Sequence, residues 1–223
     1  MPLSRRTLLA AGLAGGCIRP AWAEGWFELK DDDGAPVENM RTAVELVAPI
    51  DELPGRMMLG TDSPFVRIIE FFDYNCPACR RAAPDMEALV RQDDEVGVVL
   101  VHNPILATSS RVAAAFSIAI ATRHGQDMAL RFHAEMFRRP GPVTAGKLRT
   151  VTSEIGLDPQ IVGREAEALA TAVKAHEDAA AALGFGVTPS FVLGSVSLLG
   201  YPGAKAMRRF TQSAAQCGEP LCR

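Results

Sequence analysis

One stretch of this chain constrains its fold more than any other. Val66–Phe72 (VRIIEFF) runs through Asp73-Tyr74-Asn75 into Cys76-Pro77-Ala78-Cys79, and a helical pattern follows. Branched and aromatic residues with near-continuous apolarity predict a central strand, buried on both faces. Pro77 suits a first helical position, where a missing N–H costs nothing. Cys79, Ala83, Met86 and Leu89 or Val90 then recur at helical spacing. Pro84 should kink that helix, because its ring clashes with the carbonyl of Arg80. Val96–Val101 reads as a second buried strand. A strand, a crossover helix and a second strand make a β-α-β unit with parallel strands.

The motif's position carries chemistry. At the start of a helix, unpaired N–H groups and the helix dipole lower the pKa of Cys76. Cys79, one turn further in, is more buried. Thiol–disulfide exchange uses that asymmetry: an exposed thiolate attacks and a shielded partner resolves. Arg80 stands where a c-type haem site needs histidine. A tetrahedral zinc site needs about four ligands, whereas His102, His124, His133 and His176 are scattered along the chain. Metal binding and an inert bridge stay open as alternatives to redox catalysis.

Two further features adjoin the motif. Glu70 shares a strand face with Ile68 and Phe72, so burial should raise its pKa. Six residues before Cys76, it could lie beneath the motif and take a proton from Cys79; the alternative is an edge acid facing water. Val187-Thr188-Pro189-Ser190-Phe191 starts a later strand with proline. A cis Thr188–Pro189 bond would leave the Thr188 backbone free to pair with an incoming peptide, although most X-Pro bonds are trans.

Around this core, Glu24–Gly60 reads as a leader with strands at Trp26–Lys30 and Thr42–Val47, a turn at Asp31–Gly34, and Pro49, Pro54 and Gly55 as breakers. It is either an edge hairpin or a dimerisation arm. From Ser109 to Leu183 the pattern is helical. Ser109 or Ser110 caps a helix with Val112, Phe116 and Ile120 inward, ending at Gly125. A second helix holds Phe132, Met136 and Phe137, and a third Leu148, Val151 and Ile155. Asp158-Pro159 is expected to cap a fourth, through Leu169 and Val173 to Leu183. His133 faces the core, His102 sits in a loop, and His124 and His176 face solvent. Ser190–Leu193 and Val196–Leu199 form a hairpin about Gly194-Ser195, and Ala204–Ala215 is the last helix. Cys217 and Cys222 enclose four residues. They read as a structural bridge, with an accessory redox pair as the alternative.

The amino terminus reads as an address. Two arginines, an uncharged apolar run from Thr7 to Ile18 and Ala21-Trp22-Ala23 give the layout of a secretory signal over residues 1–23. Ser4-Arg5-Arg6-Thr7-Leu8-Leu9 looks like a twin-arginine (Tat) export signal. Cleavage after Ala23 discards Cys17; retention of Cys17 as a lipid-anchored cysteine is the lesser alternative. Four cysteines then remain, an even number suited to an oxidising compartment. The formal charge of −3 argues against nucleic acid as a partner. No apolar stretch reaches the ~20 residues of a membrane-spanning helix.

EFFDYNCPACR, a helical block and GVTPSF together resemble the DsbA-like family of exported thiol–disulfide oxidoreductases, over about Ser63 to Ala215. The resemblance implies an α/β thioredoxin fold with a helical insertion at about 105–184, occupying 61–223 behind a short extension at 24–60. It implies Cys76 as nucleophile, Cys79 as resolving thiol and Glu70 as the buried acid. Thr188, Pro189, Pro77 and Ala78 are then the substrate-binding residues. No metal or cofactor is implied beyond the redox-active Cys76–Cys79 disulfide. Partners are thiols and disulfides of exported proteins in the periplasm, and a membrane redox partner of the DsbB or DsbD kind, with the chain a monomer or homodimer. Two departures matter. DsbA has histidine where Ala78 stands, so a less depressed Cys76 and a weaker oxidant are expected. Thr188 before the proline is similar to the isomerase branch (DsbC and DsbG), which leaves an isomerase or reductase kept reduced by its partner as an alternative. A Cu(I)-binding or metal-tolerance module is the alternative of another class.

Overall fold

The VRIIEFF segment is what its apolarity requires, an interior strand of a mixed sheet. A computed structural model describes residues 27–163 and 165–222; the expected signal over 1–23, with Cys17 and the cleavage site, lies outside them. In chain order the elements are β1 (Asn39–Arg41), α1 (Val44–Val47), β2 (Met57–Gly60), β3 (Val66–Phe72), α2 (Pro77–Gln92) and β4 (Val96–His102). There follow α3 (Thr108–His124), α4 (Gln126–Arg138), α5 (Ala145–Glu154), α6 (Ala166–Ala182), β5 (Ser190–Leu193), β6 (Val196–Leu199) and α7 (Ala204–Cys217). The strands pair in the order β1-β6-β5-β3-β4-β2. β3 and β4 are parallel, with Glu70 opposite Leu100, as the intervening helix demands. β5 runs antiparallel to β3, with Glu70 opposite Phe191, and β5–β6 form the expected hairpin. This is the α/β thioredoxin-like fold with a helical insertion.

Alternation along β3 and β4 divides two cores. Ile68, Phe72, Val98 and Leu100 enter the larger one, with Cys79 and Met86 of α2, Met207 and Phe210 of α7, and Phe132 and Met136 of α4. Ile69, Phe71, Val99 and Val101 enter a smaller one, closed by Ile50, Ala180, Leu183 and Phe185. Both faces of the central strands are therefore dry, and the motif is delivered at the C-terminal end of β3.

The leader is woven into the domain. β1 extends the sheet at β6, and β2 extends the other edge at β4. Asp32 reaches across to α7, where its carboxylate accepts the N–H groups of Ala206 (2.6 Å) and Lys205 (3.2 Å). That contact needs Gly203: its φ is +99°, and a Cβ there would lie 2.4 Å from the Asp32 carboxyl.

Several local expectations are corrected. Lys30 makes only an isolated bridge to Pro36 instead of a strand. The second leader strand lies at Asn39–Arg41; the Thr42 hydroxyl meets Ser197 Oγ at 2.6 Å, and Val44–Val47 is a helical turn. Ala107, not a serine, precedes α3, because Ser109 and Ser110 turn their hydroxyls to Asn75. Val112 is 43% exposed. α6 begins at Ala166, well after Asp158-Pro159. α2 continues through Pro84 to Gln92. His176 is fully buried rather than exposed, since its ring accepts the His102 N–H (3.1 Å) and contacts the Pro54 carbonyl (2.9 Å). His102 is the last residue of β4, not a loop residue.

Candidate active site

The turn before the motif is built by its own side chains. Asp73, buried, accepts the Asn75 N–H at 2.7 Å with Oδ1 and the Leu106 N–H at 2.9 Å with Oδ2. Its carbonyl accepts the Cys76 N–H at 3.0 Å. The Asn75 amide donates to Ser109 and Ser110 and accepts the Val143 N–H at 2.8 Å. Cys76 is thereby set as the N-cap of α2, with extended backbone, Pro77 in the first turn, and Sγ accepting the Cys79 N–H at 3.2 Å. Backbone donors at a helix start favour negative charge there.

Both motif cysteines are free thiols, and their environments differ sharply. Cys76 is held down to about 6, chiefly by a hydrogen bond from the Cys79 thiol. The Thr188 side chain and the Ala78 and Cys79 backbone help, and burial opposes. Cys79 is fully buried, and burial raises its pKa far above the ordinary thiol range, with the charges of Glu70 and Cys76 adding to the effect. Cys76 itself is only 3% exposed, against the expectation of an exposed thiol. The reason is the loop opposite: the Thr188–Pro189 bond is cis, and the Cys76 thiol donates to the Thr188 carbonyl at 3.1 Å. That carbonyl is therefore engaged with sulfur.

Glu70 is 2% exposed, its Oε2 has no hydrogen-bond partner among the described residues, and its pKa is pushed up to about 8, by burial first and then by the Cys76 charge. It thus carries a proton at neutral pH within electrostatic reach of both cysteines. Tyr201, whose hydroxyl donates to Asp85 at 2.7 Å, is a further neighbour, and its phenol is raised by burial, Asp85, Asp32 and Glu70. Cys217 and Cys222 form a disulfide. It belongs to a tail folded onto the β5–β6 turn, where Glu219 accepts the Ser195 N–H (3.2 Å) and a Cβ on Gly194 would lie 2.0 Å from the Gly218 carbonyl. That turn pairs with the start of β3, whereas the motif follows its end, so roughly 20 Å of strand separates the two pairs.

Sequence reasoning did not single out Asp73, Asn75, Arg81, Ile105 or Leu106. The Asp-x-Asn preceding the motif was a legible turn signal; the rim residues carried none. Nor did it foresee that His102 joins His133 against Phe72 and Tyr74, with the His176 ring packed on His102. No three histidine, cysteine, aspartate or glutamate side chains among the described residues come together to hold a metal ion.

A Cys-x-x-Cys pair heading a helix and facing a cis-proline loop on this sheet defines a thiol–disulfide exchange protein. The chain belongs to the DsbA-like family of thiol–disulfide oxidoreductases: the model of the DSBA-like thioredoxin domain matches residues 67–214. Among solved structures it is similar to a thioredoxin-like oxidoreductase from Silicibacter pomeroyi DSS-3, at 32% identity and TM-score 0.66 over 75% of this chain and 98% of that one. A periplasmic thioredoxin-like protein from Salmonella enterica serovar Typhimurium shares the fold at 20% identity and TM-score 0.71, over 79% and 99%. BdbD from Bacillus subtilis does so at 19% and 0.65, over 79% and 96%. No curated protein matches the chain.

Proposed function

We propose that this oxidoreductase is exported to the periplasm and there exchanges disulfides with exported proteins through Cys76 and Cys79. The observation that carries the reading is the contrast within the pair: a thiol held at about 6 under the Thr188 carbonyl, beside a buried partner that resists ionisation. In the donor direction a substrate thiolate attacks Cys76 Sγ and the Cys76–Cys79 bond breaks. Cys79 leaves as thiolate and takes the Glu70 proton. A second substrate thiolate then attacks the substrate sulfur of the mixed disulfide and releases Cys76 as thiolate. The substrate loses two electrons and the pair gains them. Thr188 and Pro189 present the peptide-pairing edge, while Pro77 and Ala78 form the floor beside the sulfur. The Cys217–Cys222 bridge is structural, as its distance from the motif supports.

A membrane partner of the DsbB kind would restore the disulfide; one of the DsbD kind would keep the pair reduced for isomerisation. Cys76 is lowered, yet Ala78 gives it none of the side-chain donation that a histidine there would. That departure supports a donor weaker than DsbA. The test is the in-cell redox state of the motif, trapped by acid quench and alkylation in a Cys217→Ser/Cys222→Ser background. A mostly oxidised pair is expected; a mostly reduced pair would assign the isomerase or reductase role. Insulin reduction that persists in Cys76→Ser would overturn the mechanism.

A further inference from the structure

Beside Cys76 lies an open groove of about 410 Å³. Three apolar side chains stand on its rim, half exposed: Ile105 (45%), Leu106 (52%) and Val187 (46%). Large aliphatic groups on surface loops usually signal a binding role when they cluster. Here the loops are held in place. Leu106 N–H donates to the buried Asp73 carboxylate and Ile105 N–H to the Asn103 carbonyl (2.9 Å each), while the Val187 carbonyl accepts the Ser190 hydroxyl at 2.8 Å. The rim is therefore preformed.

Among the described residues lining this groove, a single one is charged: Arg81. Among the described residues its guanidinium makes no ion pair, and its hydrogen bond there is a long one, 3.5 Å, to the Pro77 carbonyl on its own helix. The adjacent Arg80 points away and is consumed by the carbonyls of Phe137, Arg139 and Gly141. A lone cation thus stands over an apolar groove on a chain whose formal charge is −3. Such an arrangement discriminates partners by charge more than it adds affinity.

We propose that the groove selects cysteine-containing protein segments that carry a large apolar side chain beside the cysteine and an acidic side chain on the Arg81 side. The inference rests on the exchange function above and names its substrate class. Five residues of helix separate Arg81 from Cys76, about 7 Å of rise, so an extended segment places the acid roughly two to four residues from its cysteine. The apolar residue covers Leu106 and Val187, and the carboxylate meets the guanidinium at the rim.

The experiment uses the oxidised full-length protein and two synthetic peptides. Both hold one cysteine next to leucine; one has aspartate and the other lysine about three residues away. Thiol attack on the Cys76–Cys79 disulfide is timed for each, with dithiothreitol as an uncharged reference. The aspartate peptide should react about threefold or more faster than the lysine peptide, the difference shrinking in high salt. Arg81→Glu should invert the ratio and Arg81→Ala bring it near one; using a ratio removes any change in the sulfur's own reactivity. An equal ratio in parent and Arg81→Glu, or a parent that prefers lysine, overturns the inference while leaving the exchange function standing. Failure to oxidise dithiothreitol at all would instead sink the function on which it rests.

Discussion

At the residue scale, Cys76 and Cys79 are chemically identical groups three positions apart, and the helix start makes them different. Cys76 gathers donors from the first turn, while Cys79 is turned into the core beneath it. Their order was legible in the sequence, because only the first cysteine of such a motif can occupy the N-cap. That Cys76 is itself covered was not, since Thr188 lies more than a hundred residues away. With the protein reduced, iodoacetamide should modify Cys76 with a midpoint near pH 6 and leave Cys79 unmodified. A midpoint near the ordinary thiol value would refute the assigned environment. Glu70 makes a second expectation. Its carboxyl is raised from 4.5 to about 8, so the folded state keeps a proton that the unfolded chain surrenders. Stability must then fall as pH rises from about 4.5 through about 8, by an amount on the order of 3–5 kcal/mol. Glu70→Gln should abolish most of that decline in urea unfolding, and it should slow turnover because glutamine can hand Cys79 no proton.

At the element scale, the strands and buried helices were readable because their periodicity is set by the dry faces they present. VRIIEFF, VGVVLV and the Gly194-Ser195 hairpin fall where their patterns place them, the second strand running one residue further to His102. Helix starts were less readable, because their partners come from elsewhere. Ser109 and Ser110 satisfy Asn75 rather than capping α3, and α7 takes its cap from Asp32 in the leader. Asp73 is the strut between the motif turn and the Ile105–Leu106 rim. Asp73→Ala would orphan the N–H groups of Asn75 and Leu106, at roughly 1–3 kcal/mol each. The expected signature is faster amide exchange at Leu106 and weaker peptide reactivity, with dithiothreitol oxidation less affected. Unchanged Leu106 protection would show that the rim is held by something else.

At the scale of the whole molecule, three histidines stored in the core tie stability to acidity. Burial holds His133 at about 3, His176 at about 4 and His102 well below its ordinary 6.5. Neutral when folded, they gain protons once unfolded, so the stability they permit is complete above about pH 6.5 and drains away as pH falls toward 3. His133→Phe, which keeps a ring among Phe72, Tyr74 and Phe137, should reduce the proton uptake of unfolding by about one between pH 4 and 6. The tail disulfide offers a separable term: Cys217→Ser/Cys222→Ser should cost about 2 kcal/mol, as expected for so short a loop, and leave insulin reduction intact. The sequence by itself determined the class of fold, the reactive pair and its polarity, because buried-strand apolarity, helix-start chemistry and cysteine spacing are local properties. Burial of Glu70 and of His133 was legible too, from strand face and helix spacing. Only the tertiary structure decided the Thr188 carbonyl over the sulfur, the strut at Asp73, Arg81 at the rim and the burial of His176. Each of these depends on contacts between segments far apart in the chain, and local pattern carries no record of which side chain will satisfy a distant donor.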